Sequence, residues 1–135
     1  MTANHQEPAF SINMQVRDYE CDMQGIVNNA VYQNYLEWAR HEYLRSRGLD
    51  FADLTRRGII VVVTRVELDY LKSLRSGDSF AVTVATRQLS RLRLVFEQMI
   101  YLLPDKTPVM RASITATTVN SRSRPYFHDE LKKLL

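Results

Sequence analysis

The chain has 135 residues, a net charge of +3, 45% hydrophobic residues and 24% charged residues, a composition typical of one globular domain spanning residues 1–135. Its mild charge, with no basic run interleaved with exposed aromatic residues, argues against nucleic-acid binding. A single cysteine excludes an internal disulfide framework and a cysteine-rich zinc site.

The N-terminal segment, "MTANHQEPAF", has neither the basic start nor the apolar stretch of a signal peptide. No apolar run approaches the ~18 residues that a membrane span requires. We therefore expect a cytoplasmic protein without a membrane span, in which residues 1–8 are flexible.

Alternation of apolar and polar residues predicts five strands. The first contains Phe10, Ile12, Met14 and Val16, and the other four lie in 58–70, 79–89, 92–103 and 109–120. Turn residues separate these four segments, as in Ser76-Gly77-Asp78 and Pro104-Asp105-Lys106. We expect the last four strands to form an antiparallel meander.

One segment has helical periodicity instead. Its apolar residues recur at the spacing of Val31, Tyr35, Ala39 and Tyr43, and the stripe is widened by Tyr32, Leu36 and Trp38. This pattern predicts a helix from about residue 29 to 46 that ends at Gly48. A shorter helix is expected near 51–57, and a helical turn in the tail "DELKKLL".

The order of strand, long helix and four strands predicts an α+β domain with one helix packed on one face of a curved antiparallel sheet. Such a sheet has edges that a second copy of the chain can cover. A homo-oligomer, either a homodimer or a homotetramer, is therefore expected.

The stretch "ECDMQGIVNNAVYQNYLEWAR", residues 20–40, precedes and begins the long helix. Asp22 and Gly25 are typical of a turn, which is the simpler interpretation. However, Asp22 is also suited to act as a nucleophile or general base. The backbone N–H groups of residues 28–30 lie near the helix start, where they favour a developing oxyanion. Glu37 and Arg40 add polar groups further along the helix.

The segment "VRDYECDMQGIVNNAVYQNYLEWARHEYL" resembles the N-terminal motif of hotdog-fold thioesterases of the 4-hydroxybenzoyl-CoA thioesterase class. The matching positions are Asp22, Gly25, Ile26, Val27, Tyr32, Tyr35 and Glu37. "RVELDYLKSLRSGDSFAV" and "RASITATTVNSRSRPYFHDEL" also resemble later strands of that family. The resemblance implies a hotdog fold, in which a curved antiparallel five-stranded sheet wraps one long helix.

The resemblance implies a role for each matching residue. Asp22 corresponds to the catalytic carboxylate, which attacks the thioester carbonyl or activates water. The N–H of Asn29 would polarise that carbonyl, and Glu37 corresponds to a helix carboxylate that positions water or acts across the dimer interface. Gly25, Val27 and Tyr32 would contribute to substrate binding.

The basic segment after the last strand contains Arg122 and Arg124. Arginine is suited to bidentate phosphate recognition, and the resemblance implies that both lie near the phosphates of a pantetheine-bearing carrier. The alternative is an ordinary solvated surface.

The sequence departs from the family pattern at Asn28-Asn29, where the bacterial acyl-CoA branches have an aromatic residue or a histidine. "GIVNNAVYQNY" is closer to plant plastid thioesterases that release fatty or 3-ketoacyl chains from acyl carrier protein. The resemblance therefore implies a thioesterase acting on acyl-CoA, with an acyl-carrier-protein substrate as the alternative. Acyl chain length and aromatic or aliphatic preference stay open.

Other chemistries are less well supported by the residues. Cys21 and His41 could form a nucleophile–base pair, but a buried structural cysteine is the simpler interpretation. No HExxH or HxxxH spacing is found, so we expect neither a metal nor an organic cofactor. A non-hydrolytic or dehydratase-like hotdog protein that binds acyl thioesters is the second class of function, although dehydratases usually combine an acid with a histidine that is missing near Asp22.

Overall fold

A computed structural model describes residues 10–135, and the prediction that residues 1–8 are flexible lies outside that range. Residues 10–135 form six strands and two α-helices. These are β1 (Phe10–Gln15), α1 (Asn29–Ser46), α2 (Phe51–Arg56), β2 (Ile60–Tyr70), β3 (Ser79–Gln88), β4 (Leu94–Leu102), β5 (Thr107–Val119) and β6 (Pro125–Tyr126). Short 3₁₀ helices cover Asp18–Glu20 and Asp129–Leu134.

All six strands belong to one antiparallel sheet with the order β1-β3-β4-β5-β2, and β6 pairs with β5. The α+β hotdog architecture is confirmed. The sheet has one strand more than predicted, because the two-residue β6 adds to the end of β5.

The predicted four-strand meander is wrong for β2. β3, β4 and β5 are consecutive neighbours, whereas β2 crosses to the far edge and pairs with β5 from Ile60–Val119 to Tyr70–Met110. The turn at Ser76-Gly77-Asp78, predicted as a hairpin between β2 and β3, is hydrogen-bonded to the end of β1 instead: the N–H of Gly77 donates to the carbonyl of Val16. A connection over residues 71–78 is also longer than a typical hairpin loop.

Helix α1 packs on the sheet through the stripe that the sequence predicts. Leu36, Ala39 and Tyr43 are fully buried against core residues such as Phe80 and Ile100. Trp38 is an exception, because it is 48% exposed and lies outside the stripe. The helix ends as predicted: Gly48 has a φ of 77°, and the N–H of Leu49 donates to the carbonyl of Leu44, as in a Schellman motif.

Strand β2 is less buried than its apolar sequence suggests. Ile60, Val63, Val66 and Tyr70 are each about 40–50% exposed, because β5 is the only strand among residues 10–135 that pairs with β2. Within residues 10–135, neither helix is long and apolar enough to cross a membrane.

Candidate active site

A tight turn before α1 carries Asp22. The N–H of Asp22 donates to the carbonyl of Ile26 at 2.9 Å, the N–H of Gly25 donates to the carbonyl of Asp22 at 3.0 Å, and Cys21 and Val27 form a bridge. Gly25 has a φ of 79°, a conformation that other residues rarely adopt. The backbone therefore folds back on itself and places Asp22 close to the helix start.

The side chain of Asp22 is exposed and accepts one hydrogen bond, from the backbone N–H of Gln24 to Oδ1 at 2.9 Å. This is an Asx turn, so Asp22 has the turn role that the sequence analysis gave as the simpler interpretation. No partner is recorded for Oδ2 among the described residues. One carboxylate oxygen is thus fixed by the turn, and the other is available for chemistry.

Asn28 is the N-cap of α1. Its Oδ1 accepts from the N–H of Ala30 at 3.0 Å, and its carbonyl accepts from the N–H of Val31 at 2.9 Å. Its own N–H donates to the carbonyl of Glu20 at 3.0 Å. The N–H groups of Asn28 and Ala30, both considered as oxyanion donors, are therefore already used within the protein.

The backbone N–H of Asn29 is different, because no acceptor for it is recorded in the part of the chain that the structure describes. It occupies the first position of α1, where N–H groups have no partner within the helix. The helix dipole adds partial positive charge at this end. Asn29 is therefore the best placed donor for a developing negative charge.

An open cleft of about 390 Å³ lies beside this helix start. Three predicted site residues line it, namely Val27, Asn29 and Tyr32. Asp22 and Gly25 do not line it, although Ile26, the backbone partner of Asp22, does. The cleft and the Asp22 turn are therefore adjacent.

Two cleft residues, Tyr70 and Lys72, were missed as site residues by the sequence analysis. The ring of Tyr70 lies edge-on to that of Tyr32, with 5.6 Å between centroids, and its hydroxyl is 3.5 Å from the carbonyl of Asn29. Lys72 contributes a cation to the same cleft. The only signal in the sequence was their position at the end of a strand, where a connection begins.

Tyr32 is a buried wall of the cleft. Its hydroxyl oxygen accepts a hydrogen bond from the backbone N–H of Leu74 at 2.9 Å, which joins the loop after β2 to the helix. Burial raises the pKa of this phenol above its ordinary value. The side chain is therefore neutral and serves to hold the cleft together.

Glu37 lies apart from this site. It is eight residues beyond Asn29, or about 12 Å along the helix axis, and it lines a second cleft of about 300 Å³ with Val63 and Val66. Its Oε2 is 3.9 Å from Nε2 of His41. The single chain therefore does not bring Glu37 together with Asp22 and Asn29.

The second cleft also contains Arg40. Its Nη1 donates to Oε1 of the buried Gln98 at 3.0 Å, and burial lowers the pKa of the guanidinium. Gln98 in turn donates from Nε2 to the carbonyl of Leu36 at 3.1 Å. This network fastens the helix to the sheet.

Arg122 and Arg124 lie in the β5–β6 turn, where Oδ1 of Asn120 accepts from both of their backbone N–H groups. Their side chains are exposed. The turn follows the Val119 end of β5. The other end of β5 lies near the cleft, because Met110 pairs with the cleft residue Tyr70. At ~3.3 Å per residue, the nine steps from Met110 to Val119 place the turn about 30 Å along β5 from the cleft end of the strand.

Cys21 and His41 do not form a pair. Cys21 is half-buried at the core edge beside the Val27 bridge, while His41 is three turns into α1, with its ring 4.6 Å from that of Phe51. Among residues 10–135, no cluster of three or more His, Cys, Asp or Glu side chains is arranged to hold a metal ion.

Comparison with known proteins identifies the family. The model of the Thioesterase-like superfamily matches residues 16–135. The chain is 39% identical over 84% of its length to acyl-acyl carrier protein thioesterase ATL2, chloroplastic, from Arabidopsis thaliana, of which it spans 61%. It is 29% identical over 82% of its length to the long-chain acyl-CoA thioesterase FadM from Escherichia coli, of which it spans 83%.

Similarity to a solved structure supports the same fold. The 1,4-dihydroxy-2-naphthoyl-CoA thioesterase Slr0204 from Synechocystis superposes with a TM-score of 0.87 at 16% identity, covering 93% of each chain. The chain thus spans about 60% of the plant relative but nearly all of this structure. With its hotdog architecture and the family match over most of its length, the chain belongs to the Thioesterase-like superfamily.

Proposed function

We propose that this protein hydrolyses an acyl thioester at the cleft beside the start of α1. The observation that carries the proposal is the N–H of Asn29, which has no acceptor among residues 10–135 and borders the cleft next to the turn holding Asp22. A thioester carbonyl oxygen bound to this N–H would be stabilised as it becomes an oxyanion. Family membership supports the same reaction class.

Asp22 would start the reaction in one of two ways. Its free carboxylate oxygen attacks the carbonyl carbon to give an acyl-enzyme anhydride that water then hydrolyses, or it takes a proton from the attacking water. In both routes the C–S bond breaks, the thiol leaves and the free acid is released. Gly25 supports either route by permitting the turn, and Val27 and Tyr32 provide cleft walls.

The carrier that we propose is a phosphopantetheine thiol, as part of coenzyme A or of acyl carrier protein. The similarity to ATL2 favours the carrier protein, and the similarity to FadM favours coenzyme A. Lys72, the cation in the cleft, is available to a phosphate of either carrier. Glu37 would act further along the helix, in the second cleft, on the acyl group or on water there.

We also propose that two copies pair through β2. This edge strand is eleven residues long and exposes apolar side chains that include Val63 and Val66, features of a strand that pairs with another chain. Antiparallel pairing about a two-fold axis would place the Ile60 end of one copy beside the Tyr70 end of the other. The Arg122–Arg124 turn of one copy would then approach the cleft of its partner.

Asp22→Asn tests the reaction. Asparagine can still accept the hydrogen bond from Gln24, so the turn should persist while the nucleophile or base is lost. We expect kcat to fall by about 10²- to 10⁴-fold on acyl-CoAs of several chain lengths, an aromatic acyl-CoA and one acyl-carrier protein. The preferred substrate in this panel identifies the carrier and acyl class.

Asp78→Asn is the matched control, because Asp78 also accepts one backbone N–H in an exposed turn, from Arg75 at 2.9 Å. It should keep wild-type turnover. Near wild-type turnover by Asp22→Asn on every substrate would refute the mechanism. Binding of acyl thioesters by the wild-type protein without cleavage would support the non-hydrolytic alternative instead.

A further inference from the structure

The hydrogen bond between Tyr35 and Glu20 joins the body of α1 to the segment that carries Asp22. Tyr35 is one turn beyond Tyr32 and is 4% exposed. Its hydroxyl donates to Oε1 of Glu20 at 2.7 Å. The ring packs on Phe80, with 4.6 Å between centroids, so the phenol is held by the core at one end and by Glu20 at the other.

Glu20 makes hydrogen bonds to three different parts of the fold. The same Oε1 accepts from the backbone N–H of Arg17 at 2.8 Å, and the side chain is only 12% exposed, with Oε2 3.6 Å from Nη1 of Arg17. The backbone carbonyl of Glu20 accepts from the N–H of Asn28 at 3.0 Å. Glu20 therefore contacts the chain before it, the helix cap and the helix core.

These contacts place Glu20 between the two proposed reacting groups. Asp22 is two residues after Glu20, and Asn29 follows the N-cap that donates to Glu20. Between them, several backbone hydrogen bonds and the Cys21–Val27 bridge close the turn, while Asp22, Gly25 and Asn28 are exposed. The Tyr35–Glu20 hydrogen bond adds a connection from a buried side chain of α1 to the segment that leads into this turn.

We propose that Tyr35 and Glu20 are positioning residues. Their hydrogen bond fixes the position of the Asp22 carboxylate relative to the N–H of Asn29. This inference rests on the proposed hydrolysis. Neither residue needs to touch the substrate, since neither lines the cleft. Burial and the adjacent carboxylate raise the pKa of Tyr35, so the phenol stays a donor over the working pH range.

The positioning role predicts a specific kinetic effect. Tyr35→Phe removes one hydroxyl and keeps the ring on Phe80, so the carrier-binding surface should not change. We expect kcat to fall by about 10- to 100-fold, because small misplacements of reacting groups have effects of that size, while KM stays within about twofold. Glu20→Ala should have the same effect, and the double variant should be no worse than either single variant.

Two variants separate positioning from a general loss of stability. Glu20→Gln keeps an oxygen that can accept from Tyr35 and Arg17, and should retain kcat within a few-fold. Tyr43→Phe is the matched control, because Tyr43 is another buried tyrosine of α1 whose hydroxyl donates to the carbonyl of Leu134 at 2.7 Å, two turns further from the cleft. Tyr43→Phe should lower Tm without lowering kcat.

Amide hydrogen exchange tests the same proposal without using activity. In Tyr35→Phe, the amides of Asp22 and Asn28 should exchange at least about 10-fold faster, and in Tyr43→Phe they should not change. An unchanged kcat in Tyr35→Phe, or unchanged exchange at both amides, would overturn the proposal. If the wild-type protein hydrolysed no thioester, the proposed function would fail, and the exchange data would still decide whether the pair orders the turn.

Discussion

At the scale of single residues, the adjacent asparagines Asn28 and Asn29 have different structural roles. Asn28 caps the helix with its side chain and uses its own N–H to bind Glu20. This leaves Asn29, the next residue, with a backbone N–H that has no recorded acceptor among residues 10–135. The capping chemistry of one residue thus determines which donor is available to a substrate.

Asn28→Ala tests whether the cap at Asn28 holds the N–H of Asn29 in place. Loss of an N-cap side chain should lower the free energy of unfolding by about 1 kcal/mol. It should also reduce kcat, because the first turn of α1 would hold the Asn29 N–H less firmly. Chemical denaturation and steady-state kinetics measure the two effects.

Asn34→Ala is the matched control, since Asn34 is exposed in the interior of the same helix. Alanine is the better helix former there, so stability should be unchanged or slightly higher. Equal stabilities for the two variants would show that the cap contributes nothing measurable.

At the scale of elements, the β5–β6 turn presents Arg122 and Arg124 on a scaffold that does not depend on their side chains. Asn120 and the backbone form this turn. It is therefore possible to remove both guanidinium groups without disturbing the local fold.

Arg122→Ala combined with Arg124→Ala should raise KM for a phosphopantetheine thioester by about 10-fold and leave kcat nearly unchanged. Such contacts bind the substrate and the transition state equally. The effect should shrink as salt is added, because exposed charges are screened. Steady-state kinetics at two ionic strengths measure both changes.

Arg91→Ala combined with Arg93→Ala provides the comparison, because these two arginines are exposed in the β3–β4 turn. This control should not alter KM. If the Arg122 and Arg124 double variant also kept the wild-type KM, the arginines would be ordinary solvated surface.

At the scale of the whole molecule, β2 joins the two clefts. Its Tyr70 end lines the cleft at Asn29, and its Val63 and Val66 line the second cleft at Glu37. The outer edge of the same strand has no partner within the described chain. A second copy on that edge would therefore border both clefts.

Val63→Lys combined with Val66→Lys should disrupt the proposed dimer, because lysine on an edge strand opposes strand pairing. We expect the dissociation constant to rise by at least about 100-fold, with loss of activity at low protein concentration. Sedimentation velocity and activity measured over a dilution series test this.

Leu89→Lys, at an exposed apolar residue outside β2, should leave both the mass and the activity unchanged. A monomeric wild-type protein, or a β2 variant that stays dimeric, would contradict the proposed pairing.

The sequence alone determined the features that depend on neighbouring residues. Alternation identified the long strands, the spacing of Tyr35, Ala39 and Tyr43 identified α1, and Gly48 identified its end. The family motif also selected Asp22, Gly25 and Asn29, which the structure places in one turn and the adjoining helix start. These features can be predicted from sequence because the residues that determine each of them lie within a few positions of one another in the chain.

Only the tertiary structure decided the interactions between distant segments. It placed β2 beside β5, separated Glu37 from Asp22, brought Tyr70 and Lys72 to the cleft, and paired Tyr35 with Glu20. Periodicity states which face of an element is apolar but not which distant segment covers it. That choice depends on how the whole chain buries its apolar surface and pairs its backbone groups, which one segment of sequence does not encode.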